Sequence, residues 1–234
     1  MSFRNILVWS LCLPVTLILF PFAVAAYLID RSGNGVHCIA SLWLRICLIL
    51  SGVKVEVRGL EKIPVSGGPF IFASNHKGAF DIPALQVNIP IQFRWIAKSG
   101  LFTIPFTGWA MRMAGYISVD THSGKAFLTS IRAAVRKIQD GNSVLIFPEG
   151  ERHTEPGLLP FKRGVFLLAV KSKAPIIPIA IKGTEKIMPR GQSRIRPGVV
   201  KIGFCPPIES EGRKEQELGE MTREAIEREL EKFK

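Results

Sequence analysis

The chain has 234 residues, 47% of them hydrophobic, and a formal net charge of +12. That length supports one substantial core rather than two, and the four cysteines, with no C-x-x-C and no zinc spacing, exclude a disulfide framework and read as small buried apolar residues in a reducing compartment. The charge is uneven, +15 over residues 1–208 and −3 from Glu209 onward, so the body suits anionic partners, while the lack of a nucleic-acid motif argues against nucleic acid.

In chain order, Ile6 to Leu28 reads ILVWSLCLPVTLILFPFAVAAYL without a charge. As a helix it is about 35 Å long, enough to cross a hydrocarbon core, with Pro14 and Pro21 as kink points. DRSGNG (30–35) is a turn by composition, and a second apolar segment runs from Val36 to Leu50. His37, Ser41 and Arg45 recur there every four residues, a polar stripe that predicts a helix in or near the membrane interface. A cleaved signal peptide, two spanning helices and a hairpin embedded from one face are the three readings of this pair. The second apolar segment disfavours the first. Arg4 before the pair, with Lys54 and Arg58 after it, places both flanks in the cytoplasm.

The remainder alternates strands and helices. VKVEVR (53–58) alternates apolar and charged residues, PFIFA (69–73) is a short apolar run, and DIPALQV starts a helix with Asp81 as N-cap. FRWIA (93–97), YISV (116–119), SVLIF (143–147), PIIPIAI (175–181) and VVKIGF (199–204) are further strands. Residues 123–140, 164–173 and 213–233 read as helices, the first closed by Gly141. This order predicts an α/β fold, a mixed sheet flanked by helices.

Chemistry-bearing residues follow two of the apolar strands, where open α/β sheets collect ligands. ASNHKGAFD (73–81) holds His76 and Asp81 in an H-x4-D spacing. By itself this spacing is weak, because Asp81 could simply cap a helix. As a dyad, the carboxylate would fix one imidazole nitrogen and leave the other as a general base. No G-x-S-x-G elbow is present, so such a base would act on a substrate hydroxyl. FPEGERH (147–153) carries Glu149, Gly150 and Arg152, and could be only a turn. Arg152, Lys98 and Lys77 together offer a phosphate clamp. The segment from Lys98 to Gly115 shows aromatic-rich turns around Pro105 and Gly108, and Arg190, Arg194 and Arg196 read as a solvated basic loop near lipid headgroups.

NH-x4-D at Asn75–Asp81, K-x-x-L-x-x-x-P-x-x-G at Lys98–Gly108, FPEG-x-R at Phe147–Arg152 and IIPIAI at Ile176–Ile181 occur in the order and spacing of four blocks of a known family. Over residues 1 to 205 the chain resembles the glycerolipid acyltransferases, most of all the short bacterial 1-acyl-sn-glycerol-3-phosphate acyltransferases. The resemblance implies a two-helix membrane anchor over 1–52 and a catalytic domain over 53–234. It implies that His76 is the catalytic base and Asp81 its charge-relay partner. Lys98 and Arg152 would bind the acceptor's phosphate, Glu149 and Gly150 would shape the acceptor site, and Pro178 would serve an acyl-donor or structural role. The implied partners are the bilayer, lysophosphatidic acid, and acyl-CoA or acyl carrier protein as co-substrate, with no metal and no bound cofactor. The implied location is the cytoplasmic membrane, with the catalytic domain facing the cytoplasm. Three positions depart from the family's pattern: Thr121 where the second block has arginine, Glu151 for threonine and His153 for serine. They border the phosphate site, so acceptors such as glycerol 3-phosphate or another lysophospholipid stay open beside lysophosphatidic acid. A hydrolase and a non-catalytic lipid-binding protein are the more distant alternatives.

Overall fold

The computed structural model describes residues 3–64, 66, 68–120, 123–153 and 155–233. Two helices open the chain, α1 (Phe3–Ile29) and α2 (Asn34–Ser51). α1 runs as one helix through Pro14 and Pro21. By length and composition both are apolar enough to cross a membrane, with mean hydropathies of 2.3 for Val8–Ile29 and 1.4 for Asn34–Ser51. α2 ends at Gly52, whose left-handed conformation (φ 66°) lets its N–H return to the carbonyls of Leu48 and Ile49. β1 (Val53–Arg58) follows at once.

The remaining strands are β2 (Ile71–Ser74), β3 (Phe93–Lys98), β4 (Ile117–Val119), β5 (Ser143–Ile146), β6 (Ile176–Lys182) and β7 (Gly198–Phe204). They form one seven-stranded sheet in the order β1-β7-β6-β2-β5-β3-β4. β6, β2, β5, β3 and β4 are parallel, whereas β7 is antiparallel to β6 and β1 follows β7. The parallel strands are apolar on both sides because both sheet faces are covered. Phe72, Leu145, Ile177 and Ile179 point to one face, and Ile71, Ala73, Val144 and Ile176 to the other. On the first face sit Val8 of α1, Leu48 of α2, and Ala84 and Leu85 of α3 (Asp81–Asn88). On the second sit α5 (Gly124–Gln139), α6 (Arg163–Ser172) and α8 (Glu215–Glu231). Between them in the chain lie two short helices, α4 (Thr107–Met113) and α7 (Thr184–Ile187), and 3-10 turns at Leu60–Lys62 and Ser99–Thr103. The turn-rich reading of Lys98–Gly115 therefore missed a helix. Trp109 and Phe106 of that segment pack their rings on Phe20 of α1 at 6.0 and 5.2 Å, and tertiary contact outweighs local turn chemistry there.

The polar stripe of α2 has partners that the sequence did not show: His37 and Ser41 face the α/β body. His37 is 4% exposed and its Nδ1 lies 3.1 Å from the Tyr116 hydroxyl. Ser41 Oγ accepts from Gln86 Nε2 on α3 at 3.0 Å, and Gln86 Oε1 accepts from the Trp95 indole. These bonds offset the desolvation of the buried groups, and burial holds the Tyr116 phenol above its usual range. Arg45 alone stays exposed. The turn between the helices is held as well: Arg94 Nη2 donates to the Ser32 carbonyl at 2.9 Å and to Asn34 Oδ1 at 2.6 Å. Arg58, one of the flanking basic residues, pairs with Glu229 at 2.8 Å, and the side chain of Arg4 lies outside the described residues. Of the cysteines, Cys205 is buried and Cys38 is exposed on α2; the side chain of Cys12 is outside the described residues.

Candidate active site

The carboxyl ends of β2, β5 and β3 lie side by side at one edge of the sheet. β2 delivers His76, β5 delivers Glu149 and β3 ends in Lys98. With strands about 4.8 Å apart, Lys98 is two strands, or about 10 Å, from the β2 line.

Between β2 and α3 the chain must turn sharply, and Asn75 sets the start of the turn. Its side chain, 0% exposed, donates Nδ2–H to the Ile181 carbonyl at 2.9 Å and accepts the Ile181 N–H at 2.8 Å. The amide thus extends the β2–β6 ladder by one rung. The loop then passes under α7 with Gly78 against Thr184. A Cβ at Gly78 would sit 2.5 Å from the Thr184 carbonyl oxygen. Gly78→Ala is expected to destabilise the fold by about 1–3 kcal/mol, because the obstruction is backbone; denaturant unfolding of the detergent-solubilised chain measures it.

Asp81 is the first residue of α3, with Phe80 at the N-cap position. The expected cap role falls to neither, since Phe80 makes no side-chain cap, and the Asp81 carboxylate turns back onto the loop. Its Oδ2 lies 2.6 Å from His76 Nδ1 and accepts the backbone N–H groups of Lys77 at 2.8 Å and Gly78 at 2.9 Å. Asp81 is 0% exposed. An ionised carboxylate in this position accepts from Nδ1–H, which leaves Nε2 of His76 unprotonated. Nε2 has no hydrogen-bond partner among the described residues. The imidazole lies flat on the Phe147 ring, centroids 3.8 Å apart and planes 8° apart. Hydrogen bond and stacking together fix both the tautomer and the plane of the ring.

Phe147 to Gly150 forms a turn closed by the Gly150 N–H on the Phe147 carbonyl at 3.0 Å, with Pro148 at its second position. Gly150 has φ +76°, so glycine is needed for its conformation; the Lys162 side chain lying over it is flexible. Glu149, 2% exposed, does not offer its carboxylate to solvent. Oε1 accepts the His76 backbone N–H at 2.8 Å and Oε2 accepts the Leu159 N–H at 2.7 Å. Glu149 thereby ties the histidine loop to the 148–162 segment. His153, buried, places Nε2 2.6 Å from Glu149 Oε2, outside hydrogen-bond direction, and its Nδ1 faces Lys77 Nζ at 3.2 Å.

This network removes Lys77 from the clamp predicted from sequence. Its ammonium is held by the carbonyls of Glu155 at 2.6 Å and Gly157 at 2.5 Å, and desolvation pushes it below its ordinary value. Lys98 is exposed and Arg152 half-buried, and neither side chain has a hydrogen-bond or ion-pair partner among the described residues. Glu151 is neutralised by Arg190, whose Nη1 lies 2.9 Å from Glu151 Oε2 and donates to the Arg152 carbonyl at 2.8 Å. Arg190 thus makes a positioning contact while staying exposed to solvent. Thr121 lies outside the described residues.

Pro178 is buried in β6 in register with Ala73. Its carbonyl accepts the Cys205 N–H at 2.9 Å, and it brings no polar group to the sheet edge. Asn75, Gly78 and Phe147 were not singled out from sequence. Asn75 had one usable signal, a polar amide between an apolar strand and the histidine. The stacking of Phe147 under His76 had none.

Comparison with known proteins follows the same geometry. Residues 54–182 match the family model described as Acyltransferase. The chain is 36% identical over 173 residues to "1-acyl-sn-glycerol-3-phosphate acyltransferase BAT2, chloroplastic" of Brassica napus, covering 74% of this chain and 50% of that one. It is 31% identical over 204 residues to "1-acyl-sn-glycerol-3-phosphate acyltransferase alpha" of Bos taurus, covering 86% and 71%. The chain spans about half the length of the Brassica napus and Arabidopsis thaliana relatives it matches. It also resembles the crystal structure of the 1-acyl-sn-glycerophosphate (LPA) acyltransferase PlsC from Thermotoga maritima, with 27% identity, a TM-score of 0.76, and coverage of 96% and 97%.

Proposed function

We propose a function from one premise: the chain belongs to the acyltransferase family, among relatives named 1-acyl-sn-glycerol-3-phosphate acyltransferases. The chain moves an acyl group from a thioester, on coenzyme A or acyl carrier protein, to the sn-2 hydroxyl of 1-acylglycerol 3-phosphate. The product is phosphatidic acid. The observation that carries this reading is the 2.6 Å contact of His76 Nδ1 with Asp81, which leaves Nε2 open at the sheet edge.

In this mechanism His76 Nε2 takes the proton of the acceptor hydroxyl as its oxygen attacks the thioester carbonyl carbon. The Asp81 carboxylate stabilises the imidazolium through Nδ1–H. The carbon–sulfur bond of the tetrahedral intermediate then breaks, and the departing sulfur takes the proton from Nε2. Lys98 and Arg152, the members of the predicted clamp without side-chain partners among the described residues, bind the acceptor's phosphate. Glu149 and Gly150 act by shaping the loop that carries Arg152. Pro178 acts within the sheet. The exposed apolar side chains of α1, Leu17, Ile18 and Phe22 among them, enter the bilayer, with the α/β body on the cytoplasmic side.

The test is transfer of a labelled acyl group by the full chain in mixed micelles. Phosphatidic acid as the main product supports the reading. Free fatty acid, or a preference for glycerol 3-phosphate over its 1-acyl derivative, overturns it. Arg152→Ala is expected to raise the acceptor KM about tenfold or more with kcat largely kept, as loss of a charge-assisted phosphate contact does. An unchanged KM removes Arg152 from the phosphate site.

A further inference from the structure

The basic loop at residues 189–197 is not used by the proposed chemistry, yet it is fastened to α1 at two points. The Trp9 indole N–H donates to the Ser193 carbonyl at 3.1 Å. The Ile195 backbone N–H donates to Oδ1 of Asn5, a side chain only 1% exposed, at 3.1 Å. Ile195 is buried in the same cluster as Val8 of α1. On either side of it, Arg194 and Arg196 are exposed, and neither makes an ion pair among the described residues. Beside them α1 presents Ile6 at 53% and Trp9 at 44% exposure. The arrangement is therefore two guanidinium groups without ion-pair partners among the described residues, on a loop fastened to an apolar helix through a half-exposed tryptophan.

We propose that the first turns of α1 and the loop 190–196 form a binding surface for anionic phospholipid headgroups. Arg194 and Arg196 supply the positive charge that attracts anionic headgroups over zwitterionic ones. Trp9 and Ile6 lie at the headgroup–acyl boundary, the depth that tryptophan favours. Continuity with the apolar outer face of α1 selects a lipid surface over a soluble anion. The placement also matters for the active site. The same loop carries Arg190, which holds Glu151 and the Arg152 carbonyl. Anionic lipid is thus gathered beside the segment assigned to the acceptor's phosphate. The inference rests on the membrane seating in the proposed function.

The experiment uses the full chain in mixed micelles doped with dansyl-labelled phosphatidylglycerol or dansyl-labelled phosphatidylcholine, and reads energy transfer from protein tryptophan. The wild type is expected to enrich the anionic lipid over the zwitterionic one, less so at high salt. Arg194→Gln with Arg196→Gln should reduce that preference about 30-fold, the equivalent of about 2 kcal/mol at about 1 kcal/mol per basic residue. The Arg194→Lys, Arg196→Lys pair keeps the charge and should retain most of the preference. Equal transfer from both lipids in the wild type, or an undiminished preference in the glutamine pair, overturns the proposal. So does loss of the preference in the lysine pair. No transfer from either lipid instead overturns the membrane seating itself.

Discussion

Replacing His76 by alanine is expected to lower kcat for acyl transfer by about 10²–10⁴-fold, the range set by a positioned general base. The fold should survive. The His76 side chain makes one hydrogen bond, to Asp81, and one stacking contact, to Phe147. Its backbone N–H, which holds Glu149, is unaffected by the substitution. The acceptor KM should therefore change little, since the two cations assigned to the phosphate are separate side chains. Steady-state kinetics with lysophosphatidic acid, paired with a lipid co-sedimentation assay, separates the outcomes. Near wild-type transfer by the alanine variant would exclude His76 as the base and favour a lipid-binding role for the chain.

Asp81→Asn is expected to lower kcat by a similar 10²–10⁴-fold, through a different cause. The carboxamide has nearly the same shape, but only its oxygen accepts. That oxygen is needed by the N–H groups of Lys77 and Gly78. The same oxygen faces His76 Nδ1, so it keeps all three contacts while the NH₂ takes the place of Oδ1, and what the variant loses is the negative charge that stabilises the imidazolium. Asp81→Ala should in addition destabilise the fold, because it leaves the Gly78 N–H buried without a partner, at about 1–3 kcal/mol. The two substitutions thus divide the roles of Asp81. The asparagine variant tests the carboxylate's charge at near-native stability, and the alanine variant adds a structural loss. A shift of the kcat pH profile in Asp81→Asn, read against wild type, distinguishes charge stabilisation of the imidazolium from mere placement. Unchanged kcat would show that Asp81 only braces the loop.

Most of the sheet was legible because its parallel strands are buried on both faces and therefore read as short apolar runs. IFAS, SVLI and IIPIAIK each became a central strand. The strands also ended where polar side chains begin, so the active edge could be anticipated from the order of residues. What failed shared one cause. The stripe His37–Ser41 looked only amphipathic, and its partners Gln86 and Tyr116, 45 residues or more away in the chain, were not visible. Lys77 looked like a free cation, but the carbonyls of Glu155 and Gly157 fold over it.

The amino-acid sequence by itself determined the strand and helix order, the two apolar N-terminal helices and the H-x4-D spacing. Each depends on local periodicity or on residues within one turn of chain. Only the tertiary structure decided which cations are left without partners, which carboxylates face backbone donors, and which way the imidazole is turned. Several of those properties depend on groups far apart in the chain, as Glu149 is from His76 and Lys77 from His153. A charge in a sequence carries no record of what will neutralise it. A packed loop does, because burying a charge or an N–H without a partner is costly enough to select the partner.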